Sequence, residues 1–395
     1  MKLALVGVGG AGSRLVDAIR GVETAGDRQL CYGHLLTVDI SRTVDDDFDH
    51  VPPEKHVTIG DTHREVDVGV DGDQDLAVEI IRTDFPEIHR TLDSVPMRKL
   101  DGVLVVAGLG GGTGSGAGAV LVERLQDMYD KPVYVLGVLP AEHEGGRPAL
   151  NAARSLRSLV PAADNVLLFD NDRWVSGSAD ADADADAGAD ADAADGYARA
   201  NRELASRIVT LFAREDTDPD AIGANTMDSS DLIRTLSPGG VASIGYAETD
   251  LDDGGGFLSW LRSLLPGGGD DDSDEPTDAV KIQSLVRQAL NSRLTLPCEV
   301  SSAERALVVL SGPPEELSRR GFESARQWLE EETETVEVLA GDDPRAGSST
   351  VSAAVLLSNV TEVPRIDSLQ RRAVEYDGRE ESGGADTVRA TDESD

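Results

Sequence analysis

Two glycine-rich segments, each directly after a short apolar run, constrain the fold of this chain more than any other feature. The first spans residues 7–13 (GVGGAGS) after the run 3–6, and the second spans 108–116 (GLGGGTGSG) after the run 102–107. The apolar runs predict buried strands, and the residues after each glycine segment have helical spacing. A strand, a glycine turn and a helix, repeated along one chain, indicate a parallel sheet with helices on both faces.

Further apolar runs extend this pattern through the 395 residues. Buried strands are predicted at 35–40, 132–139 and 165–169, which gives a first α/β domain over 1–195. A central helix and the loop after it follow over 196–232, and a second, smaller α/β domain covers 233–375. The expected fold class is α/β: a parallel-sheet, Rossmann-like domain, a long central helix and a second, smaller α/β domain.

Three segments have a composition that does not predict a packed core. Residues 176–195 alternate Ala and Asp, residues from about 252 to 277 are rich in Gly and Asp, and residues 376–395 are polar and acidic. Only 257–265 within the second segment have the apolar content of a short helix. We expect two disordered inserts and a disordered acidic tail.

The charge balance excludes several kinds of partner. The chain has 74 acidic against 36 basic residues and a net charge of −38. Such a surface repels nucleic acid and anionic lipid, so neither is an expected direct partner. Abundant aspartate with arginine in preference to lysine is typical of proteins adapted to a salt-rich cytoplasm, which predicts a halophilic archaeon as the host.

Cysteine content and hydropathy indicate a cytoplasmic protein. The two cysteines, Cys31 and Cys298, make neither a disulfide framework nor a metal cluster, and no metal site is predicted from side chains alone. The apolar run at the N-terminus is too short for a signal peptide, and no stretch has the apolar length of a membrane span. We therefore expect no membrane insertion.

The first glycine segment by itself allows two interpretations. It satisfies the dinucleotide pattern GxGxxG, and Asp39 ends the next predicted strand where a ribose-binding acid would lie. That combination favours a NAD-dependent dehydrogenase. A tight strand-to-helix turn without a ligand is the simpler alternative.

The second glycine segment favours a nucleotide with a longer phosphate chain. Its glycines expose successive backbone N–H groups at the start of a helix, where the potential is positive, and Thr113 and Ser115 could donate hydroxyl hydrogen bonds. No lysine follows, so the segment is not a Walker loop. The residues predicted to surround the phosphates are Gly9, Gly10, Ala11, Gly12, Ser13, Gly110, Gly111, Gly112, Thr113, Gly114, Ser115 and Gly116.

These segments carry a resemblance to a known family. The sequence GGGTGSG at 110–116 resembles the tubulin signature motif, and residues 9–13 resemble the first phosphate loop of FtsZ. The resemblance covers about residues 1–375, interrupted by the two inserts. It implies the tubulin/FtsZ fold, with a GTP-binding domain over 1–195, and it implies GTP or GDP with Mg²⁺ as ligands.

Two more loops resemble those of the tubulin/FtsZ family. Residues 69–75 (GVDGDQD) resemble its loop that senses the γ-phosphate, which assigns that contact to Gly72 and Asp73. Residues 140–147 (PAEHEGGR) are similar to its ribose-contacting loop, which assigns roles to Glu144 and Arg147. A set of solvated charges is the alternative interpretation of this second loop.

Three residues are candidates for reading a guanine base. Asn171 follows a predicted strand, and its amide offers both a donor and an acceptor to a guanine edge. Tyr197 and Asn201 lie four apart on the predicted central helix and so share a face, where tyrosine can stack on a purine. Alternatively, Tyr197 packs against the core and Asn201 lies on the helix surface.

The residues after the central helix resemble the catalytic loop of the family. Asp228 and Asp231 match its acidic positions, whereas Thr226 replaces its asparagine. The resemblance implies that this loop orients water at the γ-phosphate of the next subunit in a head-to-tail filament, so that assembly activates hydrolysis. The alternative role for both aspartates is helix capping.

Three short motifs favour one branch of the family. Residues 294–299 (LTLPCE), 311–314 (SGPP) and 363–366 (VPRI) are similar to CetZ, the archaeal tubulin-like group connected with cell shape. The chain is thus interpreted as a polymerising, cytoskeletal GTPase, with itself and related tubulin-like paralogues as partners. An FtsZ-like division protein, a degenerate nucleotide-binding regulator of such filaments and a dehydrogenase stay open as alternatives.

Overall fold

The computed structural model divides the chain into two compact units. It describes residues 1–26, 28–40, 48–61, 63, 69–176, 189–215, 227–251, 278–292, 294–314, 316–317, 319–334, 337–345 and 347–392. The first unit comprises Met1–Asp216, Gly239–Val241 and Val363–Asp395, and the second comprises Thr217–Pro238 and Ala242–Glu362.

A parallel sheet forms the centre of the first unit. Its strands are β1 (Leu3–Val8), β3 (Leu35–Asp39), β4 (His56–Thr58), β5 (Gly102–Gly108), β6 (Val133–Leu139) and β7 (Asn165–Asp170), and the short β2 (Arg28–Gln29) pairs separately with β8 (Arg214–Glu215). The order across the sheet is β7-β6-β5-β1-β3-β4, with every pairing parallel. All residues of β1, β6 and β7 are buried. The parallel pairings confirm the predicted parallel sheet. Because these strands are buried on both faces, helices must cover both sides of the sheet.

The helices of the first unit begin inside the glycine segments. They are α1 (Gly9–Ala25), α2 (Gln74–Leu92), α3 (Gly112–Met128), α4 (Gly146–Ala162), α5 (Asn171–Ser176) and α6 (Ala189–Phe212). The sequence patterns placed α3 later, from about residue 117, and did not single out α4 or α5. Glycine is a weak helix former, but the first turn of a helix needs no intrahelical N–H partner, so tertiary packing decides its conformation there.

Helix α6 starts earlier than its apolar pattern predicts. It begins at Ala189 rather than near residue 196, so the disorder predicted for 176–195 does not hold for its last seven residues. Alanine is the strongest helix former and allows the helix to continue without large apolar side chains. Residues 177–188 and the second insert at 252–277, including the short helix predicted at 257–265, lie outside the described residues.

The second unit is built around a mixed sheet. Its strands are β9 (Val241–Asp250, apart from its first residue), β10 (Arg305–Gly312), β11 (Glu337–Pro344) and β12 (Thr350–Ser358), in the order β11-β10-β12-β9. Strands β10 and β11 are parallel, whereas β12 is antiparallel to β10 and to β9. Its helices are α7 (Ser229–Leu236), α8 (Asp278–Ser292) and α9 (Arg319–Thr333). This mixed sheet with helices confirms a second, smaller α/β arrangement.

The last helix, α10 (Pro364–Asp392), differs from the prediction in length and in location. The sequence patterns ended it near Val374, inside the second domain, and predicted disorder over 376–395. The structure instead assigns α10 to the first unit, where the Tyr376 ring leaves no room for a side chain on Gly146 of α4, and Arg154 Nη2 lies 3.3 Å from Asp377 Oδ1. Tyr376 and Asp377 contact a helix that is distant in sequence, so this contact could not be predicted from the local sequence.

Hydropathy along the described helices is too low for a transmembrane segment, since none of those helices combines the needed length with the needed apolar content.

Candidate functional site

A cavity of about 270 Å³ lies in the first unit at the carboxyl ends of the parallel strands. Val8 and Gly108 end β1 and β5, Val138 lies near the end of β6, and Asn171 directly follows β7. This edge of a parallel sheet is where α/β folds bind ligands. The cavity is lined by Val8, Gly9, Gly10, Ala11, Arg14, Gly108, Gly110, Gly111, Gly112, Thr113, Gly114, Val138, Pro140, Glu144, Asn171, Tyr197 and Asn201.

One side of the cavity, here called the glycine wall, consists of residues 9–11 and 110–114. These residues form the first turns of α1 and α3 and the turn before α3, and neither helix has a side chain capping its first turn among the described hydrogen bonds. Gly9 has a φ of 72°, which glycine adopts without strain. Two helix N-termini with uncapped N–H groups make this wall suited to an anion.

The glycines of the two segments have two different structural roles. A side chain on Gly12, Gly114 or Gly116 would collide with the carbonyl oxygen of Val106, Gly108 or Gln74, respectively. These three glycines therefore allow α1 and α3 to pack closely on the sheet and on the first residue of α2. At Gly111, by contrast, no described heavy atom lies within 4 Å of the place that a Cβ would take. Gly111 is thus open toward the cavity.

Of the three hydroxyl-bearing residues predicted to surround the phosphates, the structure places one in the cavity lining. Thr113 lines the cavity. Ser115 is buried, and its Oγ donates to the carbonyl oxygens of Gly111 and, at 3.2 Å, Gly112. Ser13 is also fully buried and is not part of the lining, and its hydroxyl has no hydrogen-bond partner among the described residues.

A second set of lining residues, here called the side-chain wall, consists of Glu144, Asn171, Tyr197 and Asn201. Tyr197 Oη donates to Glu144 Oε1 at 3.0 Å, and the same oxygen accepts from the backbone N–H of Ala141 at 2.7 Å. Burial, followed by the nearby Glu144 carboxylate, raises the pKa of Tyr197 above its ordinary value. The phenol consequently stays protonated and holds Glu144 in place, while Asn171 and Asn201 present amides.

An aromatic contact joins α5 and α6, the two helices that carry Asn171, Tyr197 and Asn201 of the side-chain wall. Trp174 of α5 stacks on Phe169 of β7 with ring centroids 5.4 Å apart, and the Arg207 guanidinium of α6 lies 4.3 Å from the Trp174 ring centroid. Arg207 is 2% exposed, so this contact is shielded from solvent. It sets the position of Asn171, on α5, relative to Asn201, on α6.

Arg14 is a lining residue that the sequence patterns did not single out. It lies on α1 one turn after Gly10, is exposed, and is the one positively charged side chain among the lining residues named above. The sequence could have predicted this position, because residues four apart on a helix face the same side and Arg14 lies four residues after Gly10. In a chain with a net charge of −38, a cation at this place stabilises a bound anion.

Several predicted ligand residues lie outside the lining. Asp39 is 3% exposed, and its Oδ1 accepts from the N–H of Ile40 at 2.7 Å. Asp73 caps α2, since its Oδ1 accepts from the N–H of Leu76 at 3.0 Å. Gly72 lies in the same turn, close enough to the Arg147 guanidinium that a Cβ on Gly72 would be 3.3 Å from Arg147 Nε. None of these last three residues lines the cavity, but backbone atoms of Asp73 and Gly72 lie 2.9 Å from where a Cβ on Gly112 of the glycine wall would be.

Asn151, on α4, connects that turn to the glycine wall. Its amide nitrogen donates to the carbonyl oxygens of Gly72, at 2.9 Å, and of Gly110, at 3.1 Å. The side chain is 4% exposed, so both bonds are protected from water. Nothing in the local sequence distinguishes Asn151 from a helix-surface amide, which is why the sequence patterns missed it.

The two predicted catalytic carboxylates belong to the second unit and do not line the cavity. They form a reciprocal cap at the start of α7. Asp228 Oδ1 accepts from the N–H groups of Ser230, at 2.7 Å, and Asp231, at 3.1 Å, while Asp231 Oδ2 accepts from the N–H of Asp228 at 3.1 Å. The cap orients both carboxylates at one helix terminus.

Comparison with known families gives two adjacent matches. Residues 2–178 match the GTPase domain of the Tubulin/FtsZ family, and residues 190–375 match the C-terminal domain of tubulin-like CetZ. Tubulin-like protein CetZ1 of Haloferax volcanii is 42% identical over 387 residues, which cover 95% of this chain and 92% of that protein. CetZ3 of the same organism is 43% identical over 381 residues, with the same coverage of 95% and 92%.

Solved structures agree with these matches. The GDP-bound monomer of CetZ1 from Haloferax volcanii is 37% identical, with a TM-score of 0.79 over 95% of this chain and 100% of that one. The GTPγS-bound protofilament of CetZ2 from Haloferax volcanii is 31% identical, with a TM-score of 0.77 over 96% and 100%. An FtsZ dimer of M. jannaschii, 19% identical with a TM-score of 0.62 over 90% and 87%, shares the fold. The chain belongs to the tubulin-like CetZ proteins of the tubulin/FtsZ family.

Proposed function

We propose that this chain binds GTP, polymerises head to tail with copies of itself or of related tubulin-like paralogues, and hydrolyses GTP at the contact between subunits. The observation that carries the proposal is a cavity lined both by two uncapped helix N-termini and by amide and phenol side chains. We further propose that the filament acts in the cytoplasm of a halophilic archaeon, where it controls cell shape.

The glycine wall supports binding of a polyphosphate. Backbone N–H groups of α1 and α3 converge on the cavity from two adjacent strands, since β1 pairs directly with β5. Fixed backbone dipoles bind phosphate without the lysines that this chain largely lacks. The match of residues 2–178 to a GTPase domain agrees with this assignment.

The side-chain wall supports recognition of guanine. Guanine presents an acceptor beside two donors, whereas adenine reverses the donor and acceptor along its edge. Asn171 and Asn201 each carry both an amide oxygen and an amide nitrogen, so together they can pair with the guanine edge. Tyr197 offers a ring for stacking, and Glu144 lies where a ribose hydroxyl could donate.

Hydrolysis at a subunit contact is supported by where the acidic side chains lie. Glu144 is the one carboxylate among the cavity-lining residues, and its Oε1 already accepts from Tyr197 and Ala141. Asp228 and Asp231, the acids matching the family's catalytic loop, are in the second unit and outside that lining. We infer that they orient the attacking water at the nucleotide of the next subunit in the filament.

The side chains of the described residues also indicate which groups could hold Mg²⁺. The described residues contain no group of three or more His, Cys, Asp or Glu side chains arranged to hold a metal ion. Mg²⁺ keeps several waters and is commonly bound through substrate phosphates, so the phosphates of the nucleotide, with Thr113 nearby, fit it better than a protein cage. When bound there, the ion would neutralise charge on the phosphates.

Nucleotide binding and assembly can be tested together at molar KCl. We expect GTP and GDP to raise the melting temperature, ATP and NAD to leave it unchanged, and GTP to produce sedimenting filaments. Phosphate release per subunit should rise with protein concentration, because each active site needs two subunits. Stabilisation by NAD instead would indicate a dehydrogenase, and GTP binding without turnover would indicate a nucleotide-binding regulator.

A further inference from the structure

We propose that Arg365, in the first turn of α10, is a positioning residue that holds the side-chain wall of the cavity, so that this helix controls how long a guanine nucleotide stays bound. The proposal rests on the nucleotide binding proposed above and extends it to an element outside the cavity. Arg365 does not line the cavity.

The guanidinium of Arg365 contacts two segments that end at the cavity. Its Nε lies 3.0 Å from Asp170 Oδ1, its Nη2 donates to the Pro140 carbonyl oxygen at 2.7 Å, and its Nη1 lies 3.5 Å from Glu142 Oε1. The Arg365 and Asp170 side chains are 9% and 5% exposed. This pair is consequently insulated from the screening by salt that weakens surface ion pairs.

The contacted residues belong to the two segments that carry Asn171 and Glu144 of the side-chain wall. Asp170 ends β7 and directly precedes Asn171, while Pro140 lines the cavity and begins the segment that leads to Glu144. Two further bonds tie the segments together: the Glu142 N–H donates to Asp172 Oδ1 at 2.8 Å, and Arg372 Nη2 donates to the Glu142 carbonyl oxygen at 2.5 Å. Helix α10 thus holds the segments that carry Glu144 and Asn171 through Arg365 and Arg372, neither of which lines the cavity.

The chemistry of the pair explains why arginine is needed. Burial raises the pKa of Asp170, and the Arg365 charge opposes that shift. Loss of the guanidinium would leave a buried carboxylate without its counter-ion, which disturbs the end of β7 beside Asn171. A planar guanidinium reaches Asp170 and Pro140 at once, whereas the single ammonium of lysine cannot reproduce both bonds with the same geometry.

The test compares nucleotide dissociation rates of matched variants. Arg371, on the same helix, donates from Nε to the Asp367 carbonyl oxygen of its own helix, so Arg371→Gln removes the same charge away from the cavity. Release of a fluorescent GDP analogue is followed by stopped-flow at molar KCl, well below the melting temperature of every variant. We expect roughly 10- to 100-fold faster release from Arg365→Gln, an intermediate rate from Arg365→Lys, and the wild-type rate from Arg371→Gln.

A second variant separates positioning from general stability. Arg365→Gln combined with Asp170→Asn removes the unpaired buried charge, so the melting temperature should recover while release stays fast. If Arg365→Gln folds and releases the GDP analogue at the wild-type rate, the proposal is overturned. If Arg365→Gln does not fold, the proposal is overturned when both Arg365→Lys and the double variant release the analogue at the wild-type rate. Absence of guanine-nucleotide binding by the wild-type chain would instead contradict the proposed function.

Discussion

The nucleotide cavity of the first unit and the acidic pair of the second unit are built in opposite ways. The cavity is lined by residues of several elements distant in sequence, among them α1, α3, α5 and α6, and the Tyr197–Glu144 hydrogen bond joins two of these segments. Asp228 and Asp231, by contrast, hydrogen-bond reciprocally in the cap of the single helix α7. The proposed binding site is therefore preorganised within one chain, whereas the two acids, which share a helix cap, are proposed to act on a second chain.

The largest effect is expected from a charge placed in the glycine wall. Gly111→Asp should weaken GTP and GDP binding more than about 100-fold, because a carboxylate would face the phosphates at two helix N-termini. Gly111 has a φ of −78° and open space beside it, so the fold should be unaffected. Calorimetric titration measures the loss, with Gly111→Ala as the neutral control that should bind nearly normally. Normal GDP binding by Gly111→Asp would show that the phosphates lie elsewhere.

A large effect on turnover, without one on binding, is expected at the acidic pair. Asp231→Asn keeps an oxygen that can accept from the Asp228 N–H, so the cap and the melting temperature should persist. GTP binding should stay within twofold, while phosphate release should fall about 100-fold or more because water loses its orienting charge. Unchanged turnover in this variant would leave Asp231 with a capping role only.

Mixing these two variants tests whether the cavity and the acids come from different chains. Asp231→Asn subunits keep an intact cavity and Gly111→Asp subunits keep intact acids, so a mixed junction can restore one working site. We expect GTPase activity above the sum of the separate variants, with co-assembly checked by co-sedimentation. Strict additivity in co-assembled filaments would mean that each chain hydrolyses GTP alone.

A moderate effect is expected at the side-chain wall. Asn201→Ala should weaken GTP binding by about 1–3 kcal/mol and ATP binding much less, because guanine polar groups lose their partner. Asn201→Asp is the matched control, since a carboxylate can accept from two guanine N–H groups and should keep the preference for GTP. Competition titrations with GTP and ATP measure both, and equal affinities of the wild-type chain for the two would refute guanine recognition.

The smallest effect is expected at the residue that connects the Gly72 turn to the glycine wall. Asn151→Ala removes both amide bonds and should lower the ratio of GTP to GDP affinity by about tenfold, since a buried hydrogen bond contributes on the order of 1 kcal/mol. Ser158→Ala, on the exposed face of the same helix, serves as the control. An unchanged ratio would restrict Asn151 to a structural role.

The sequence alone predicted the parallel sheet, a strand, turn and helix at each glycine segment, and the family, and the structure and the comparisons confirm all three. These features depend on neighbouring residues. Apolar runs indicate buried strands, and glycines indicate where a strand ends and a helix begins. The predicted cluster of Asn171, Tyr197 and Asn201 does converge on the cavity, because residue spacing on a helix and position at a strand end follow from sequence.

Only the tertiary structure decided which polar groups face the cavity and which are used elsewhere. Ser115 bonds to its own helix, Asp39 bonds to the next N–H, and Arg14 lines the cavity, although each stands beside a predicted loop. The docking of α10 on α4, which brings Arg365 to Asp170, likewise has no local signal. The physical reason is that the spacing of apolar residues along the chain indicates which side chains are buried. The partner of a polar side chain depends instead on packing between segments far apart in the chain.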